Sequence, residues 1–134
     1  MKNGNDTKNN SQPTLFERLG KTEGIASIVD DVIETHMNNP VIQKRFLPLK
    51  EQPEHLALIR QHTIDFFSAG SGGQAQYSGK EMPAAHKGMN IRPEEYMEVV
   101  DDIMLILDKH QIDDDSKKDV LAILWSLKGM IVAQ

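Results

Sequence analysis

Five histidines and no cysteine set the limits on the chemistry this chain can do. Without thiols there are no disulfides, thiolate zinc sites, iron–sulfur clusters or thiol nucleophiles. No HExxH, GxSxG or phosphate-binding GK[ST] loop occurs, and Gly70 to Gly73 follows a helix-like stretch rather than a strand. The carboxylate run Asp113 to Asp115 sits where a helix should start, and the helix dipole accounts for it. Asp30-Asp31 and Asp101-Asp102 fall on polar sides of amphipathic stretches and read as solvated faces. The histidines therefore carry the chemical interest.

They are not equivalent. His110 lies at a helix end, where it complements the dipole. His36 extends an apolar stripe that begins at Ile25. His55, Ile59, His62 and Phe66 share one helical face. A single histidine on such a face is usually a hydrogen-bonded core residue; two on one face weaken that reading. His86 lies in Met82-Pro83-Ala84-Ala85-His86-Lys87-Gly88-Met89-Asn90-Ile91, a short apolar segment behind a glycine-rich hinge. With neither cysteine nor clustered carboxylates, His62 and His86 make a poor zinc site. Two imidazoles on separate helices, divided by apolar side chains, suit a flat metal macrocycle better.

The elements that must hold these residues are all helical. Thr14 followed by Glu17 is a capping-box signature, and the short helix it opens stops at Gly20. Ile25, Ile28, Val29, Val32, Ile33 and Met37 form one stripe along a helix running from Gly24 to Asn39-Pro40. Gln52-Pro53 starts a longer helix reaching about Ala69. The run Gly70-Ser71-Gly72-Gly73 through Tyr77-Ser78-Gly79 breaks regular structure, and a short helix over Met82 to Met89 follows. Arg92-Pro93 opens a long helix with Tyr96, Val99, Val100, Ile103 and Leu107 on one face. Asp113 caps a last one, whose stripe is Val120, Ile123, Leu124, Leu127 and Ile131. No strand pattern or internal repeat is present.

Length and composition agree with one soluble domain. The chain has 134 residues, 39% hydrophobic and 26% charged. Its net charge of −5 disfavours nucleic acid. No apolar run approaches the ~18 residues of a membrane span. No secretion signal is evident, so the expected location is cytoplasmic. Residues 1–13 hold almost no apolar side chain and are expected to form a disordered polar tail, with the globular domain over 14–134.

In order and spacing, these features resemble the truncated hemoglobins of group I. Leu15-Phe16-Glu17-Arg18-Leu19-Gly20 resembles the family's opening, and Phe46 stands where the family has an aromatic residue after the second and third helices. Gly72-Gly73 with Tyr77-Ser78-Gly79 resembles the glycine pair and Tyr-x-Gly before the proximal helix. Met82 and Ala85-His86-Lys87-Gly88-Met89 resemble the proximal segment. The resemblance runs from Thr14 to about Leu127 and implies a two-over-two helical sandwich around heme b.

It makes His86 the proximal ligand and suggests Phe46, Phe66, Met82, Ile91 and Tyr96 as heme contacts. On the distal side Ile33 replaces the tyrosine that many members carry, removing a hydrogen bond to bound oxygen worth about 1–3 kcal/mol. Ile59, His62 and Thr63 align with positions facing the iron. His62 matches a second histidine ligand of some cyanobacterial relatives. It is expected either to coordinate iron, giving a six-coordinate resting state, or to donate to bound oxygen; coordination is favoured, with Gln61 and His36 as alternatives in a shifted register. Some relatives attach heme through a histidine near the carboxyl terminus, and none follows His110 here, so the heme is expected to be noncovalent. The implied function is binding of O2, NO or CO at iron, with no side chain assigned as catalytic. The alternative is NO dioxygenation or related reactive-nitrogen chemistry with an external reductase.

Overall fold

The computed structural model describes residues 12–134, so the amino-terminal tail expected from the sequence lies, up to residue 11, outside the described residues. Seven α-helices follow: α1 (Leu15–Arg18), α2 (Lys21–Met37), α3 (Gln43–Phe46), α4 (Pro53–Gly70), α5 (Met82–His86), α6 (Pro93–Lys109) and α7 (Asp114–Ile131), with a 3-10 turn over Leu47–Glu51. Among the described residues no strand forms.

The helix starts are local chemistry. The Glu17 backbone N–H donates to Thr14 Oγ1 at 3.1 Å, and the Thr14 N–H donates to Glu17 Oε1 at 2.9 Å. Asp113 accepts from the Ser116 N–H in the same way to open α7. Proline occupies the first turn of α4, α5 and α6, where its missing N–H costs nothing. The second helix begins at Lys21, three residues ahead of the sequence expectation. Gly20 caps it in the left-handed conformation, at φ +96°. Gly24 fits inside its first turn because a Cβ there would collide with the Leu19 carbonyl.

Two helix pairs build the sandwich. α2 packs on α4, α6 packs on α7, and α2 crosses onto α6. The core between them joins Ile25, Ile28 and Val29 of α2 with Ile64 of α4, Val100, Ile103, Ile106 and Leu107 of α6, and Val120, Leu124 and Ile131 of α7. Apart from Ile64 and Ile106, these positions belong to the stripes read from the sequence.

The short helix α5 is handled differently. It ends at His86, earlier than the expected Met89, and rests on α7. Beyond it, Gly88 and Asn90 take positive φ, and their N–H groups both donate to the Gln134 carbonyl. The Ala133 N–H donates to the Ile91 carbonyl, and Ile91 pairs with Val132 in an isolated parallel bridge. The segment behind His86 is thus tied to the end of α7 by backbone bonds.

Candidate functional site

The histidine on α5 is set up by its own helix. His86 is half-buried, and its Nδ1–H donates to the Met82 carbonyl at 2.8 Å, one turn back. A carbonyl only accepts, so this bond fixes the tautomer with the proton on Nδ1 and the lone pair on Nε2. This is the orientation device that metal-bound histidines use.

On α4, His62 is half-buried with Phe66 one turn on. Its Nδ1 is buried and has no hydrogen-bond partner. The ring lies edge-on to Tyr77, with centroids 5.9 Å apart. Tyr77 also meets Phe66 edge-on at 5.4 Å, and its hydroxyl donates to the Lys80 carbonyl at 2.6 Å. Burial, then the charge of Glu81, pushes the Tyr77 hydroxyl up from its ordinary pKa, so it remains a neutral donor.

The other residues read as candidates for this side carry little free polarity. Thr63 spends its hydroxyl proton on the Ile59 carbonyl at 2.8 Å, within the helix. Ile59 and Ile33 are half-buried and apolar, and Ile33 packs against the core. Met82 and Ile91 also pack against the core from the α5 side. Gln61 is exposed and donates to Asp65 at 2.9 Å. His55 lies exposed at the start of α4.

Other histidines and candidate contacts lie in different company. His36, only 4% exposed, donates from Nδ1 to Asp102 Oδ2 at 2.8 Å. Burial pushes its pKa down, against the pull of that carboxylate, so it is neutral at pH 7. The Phe46 ring tilts over it at 4.8 Å. Tyr96 is buried, and its hydroxyl donates to the Leu124 carbonyl on α7. His110 bonds Asp31 at 2.6 Å.

Asp102 corrects the sequence reading of Asp101-Asp102 as a solvated pair. Asp101 is exposed, but Asp102 is buried and also accepts from Asn39 Nδ2. Glu98 takes the Asn39 amide as well, and buried Glu95 takes Arg45 through two bonds of 2.6 and 3.0 Å. Side-chain bonds from Arg45, then the Arg92 N–H, hold Glu95 at a pKa of about 2. Glu95, Glu98 and Asp102 therefore form one acidic stripe on α6 that grips the α2–α3 corner. A signal existed in the sequence: adjacent helical residues point about 100° apart, so Asp101 and Asp102 cannot share one face.

The family model described as bacterial-like globin matches residues 14–133. The chain belongs to the bacterial-like globin family. A group 1 truncated hemoglobin of Tetrahymena thermophila is 27% identical over 103 residues, 77% of this chain and 81% of that protein. The crystal structure of truncated hemoglobin from Tetrahymena pyriformis, Fe(III) form, superposes with a TM-score of 0.79 at 18% identity, covering 91% of this chain and 100% of that one. The group II truncated hemoglobin from Bacillus anthracis superposes with a TM-score of 0.76 at 21% identity, covering 92% and 94%. The two structural likenesses establish the two-over-two globin fold. Among the described residues no helix of this globin is long and apolar enough to cross a membrane.

Heme is the cofactor of a globin, and the residues present fit it. An imidazole on α5 has its tautomer fixed with Nε2 left for a metal, and a second, on α4, carries a buried nitrogen that no protein group satisfies. The helices bearing them rest on different supports, α4 on α2 and α5 on α7. Ile59 and Phe66, one turn to either side of His62 on α4, are half-buried and apolar.

Proposed function

We propose that this globin holds heme b noncovalently between α4 and α5, with His86 as the proximal ligand and His62 as the distal ligand of a six-coordinate resting state. The observation that carries the reading is the contrast in polar satisfaction. The His86 Nδ1–H is committed to Met82, which frees Nε2, and His62 keeps a buried nitrogen without a partner. A buried polar group left unmatched costs about 1–3 kcal/mol, so the fold gains no polar contact by placing His62 there, as expected of a residue kept for an external group. Heme would supply the iron, and His86 from α5 and His62 from α4 would hold it.

Small gaseous ligands, O2, NO and CO, are the class such a site takes. Ile59 is apolar and Thr63 spends its hydroxyl within α4, so His62 would be the group on that helix that holds the iron or donates to a bound ligand. We read the chain as group I, on the identity with the Tetrahymena relative. Turnover of NO would add a reductase as partner.

The test is spectroscopic. Ferric protein reconstituted with heme should give a low-spin, six-coordinate spectrum, and His62→Leu should convert it to high spin. A spectrum unchanged by His62→Leu removes that residue from the sixth position.

A further inference from the structure

Four half-buried or buried histidines in this globin differ in what aims their rings, and one of them, His110, is held by Asp31. Asp102 aims His36 and the Met82 carbonyl aims His86. No hydrogen bond on Nδ1 aims His62. Metal-binding histidines are normally oriented by such a bond on the other ring nitrogen. Packing must therefore set the direction of His62.

The group that packs there is Tyr77. It lies in the glycine-rich loop, outside any helix, and its ring meets both His62 and Phe66 edge-on, with interplanar angles of 73° and 83°. Two features hold the ring in that place. The hydroxyl is latched to the Lys80 carbonyl, which closes the loop over residues 77–80. Gly79 leaves the room, since a Cβ at that position would overlap the Tyr77 hydroxyl and ring carbons. The alternation Tyr77-Ser78-Gly79 is thus a seat: an aromatic ring, and the missing side chain that lets it fold back.

We propose that Tyr77 is the positioning residue for His62, holding the imidazole by ring-edge packing in place of the absent hydrogen bond, with Gly79 and the Lys80 carbonyl as the seat. The inference rests on the reading of His62 as distal ligand. The loop then sets how firmly His62 competes with an external ligand, and so links the segment leading into the proximal helix to the distal side.

The test uses heme-loaded protein and two readouts. In the ferric form, Tyr77→Ala should lower the low-spin fraction and raise the apparent affinity for added cyanide about tenfold, the scale seen when a ligand's orienting partner is lost. In the cyanide-saturated form, where the sixth position is filled, diethyl pyrocarbonate should modify His62 faster than in the wild type, with exposed His55 as the internal reference. Gly79→Ala should reproduce both effects with Tyr77 still present. Tyr77→Phe keeps the ring but loses the latch to Lys80, and should fall between the wild type and Tyr77→Ala in both readouts. Wild-type behaviour of both Tyr77→Ala and Gly79→Ala would overturn the proposal, as would a Tyr77→Phe protein no better than Tyr77→Ala. The modification rate separates this outcome from failure of the ligand reading: if His62→Leu leaves the spectrum unchanged, the rate at His62 still reports whether Tyr77 holds the ring.

Discussion

The α2–α6 side and the α4–α5 side of this globin both bring histidines out of water, and they treat them in opposite ways. At the α2–α3 corner the buried polar side chains bond one another. His36 has Asp102, Asn39 has Asp102 and Glu98, and Arg45 has Glu95. Across the α4–α5 side the polar atoms are held ready: His86 is bonded at one nitrogen only, and His62 Nδ1 has no partner. The difference teaches how to tell a structural histidine from a ligand. Burial does not distinguish them, since His36 is the most buried of the three. A saturated polar neighbourhood marks a residue that stabilises the fold, and an unsaturated one marks a residue waiting for something from outside.

The comparison can be broken first at His86. His86→Leu should abolish stable heme retention, and with it the rise in melting temperature that heme binding gives the folded state. Absorbance after gel filtration, together with thermal melts with and without heme, checks this; undiminished retention would end the proximal assignment. On the satisfied side, Asp102→Ala should cost about 2 kcal/mol, because His36 is left with a buried donor unpaired and Asn39 keeps only Glu98. Urea unfolding measures it, and a loss within ~0.5 kcal/mol would show that the corner does not depend on its polar stripe.

Acid should sharpen the contrast. Glu95 sits at about 2 in the fold against an ordinary 4.5. Its contribution is therefore complete above pH 4.5 and is lost as pH falls toward 2. His36 has a lowered pKa, so the unfolded chain takes up that proton first, and stability declines as pH drops below the ordinary 6.5. Both groups make the α2–α3 corner acid-sensitive in the same sense. Glu95→Gln should remove the part of the pH dependence between 4.5 and 2, measured as urea midpoint against pH. The smallest effect is expected at His62. In heme-free protein His62→Leu should leave stability within ~0.5 kcal/mol or raise it, since an unpartnered buried nitrogen disappears with the ring. A loss comparable to that of Asp102→Ala would mean that His62 serves the fold after all.

Much of the frame could be read from the chain, because its signals are short-range. The Thr14–Glu17 box, Pro53, Arg92-Pro93 and Asp113 mark helix starts that the structure keeps. The apolar stripes of α2, α6 and α7 are the core. His86 stood out by its hinge and apolar surroundings, and its bond to Met82 spans a single helical turn. The fate of Asp102 was not legible from its own neighbourhood, since its partner is far away in the sequence. The pairing of residues 88–91 with the end of α7 has no helical or strand period to announce it. Tyr77 carried a motif, but nothing local says that its ring reaches His62.

The sequence by itself determined where helices begin, which faces turn inward, and which chemistry is closed to a chain without thiols. Capping bonds and helical periodicity act over three or four residues, so they are written where they operate. Only the tertiary structure decided which histidine is satisfied and which is left open. That choice depends on α2 meeting α6 at one corner and a loop folding back on α4, contacts between distant parts of the chain that no local pattern encodes.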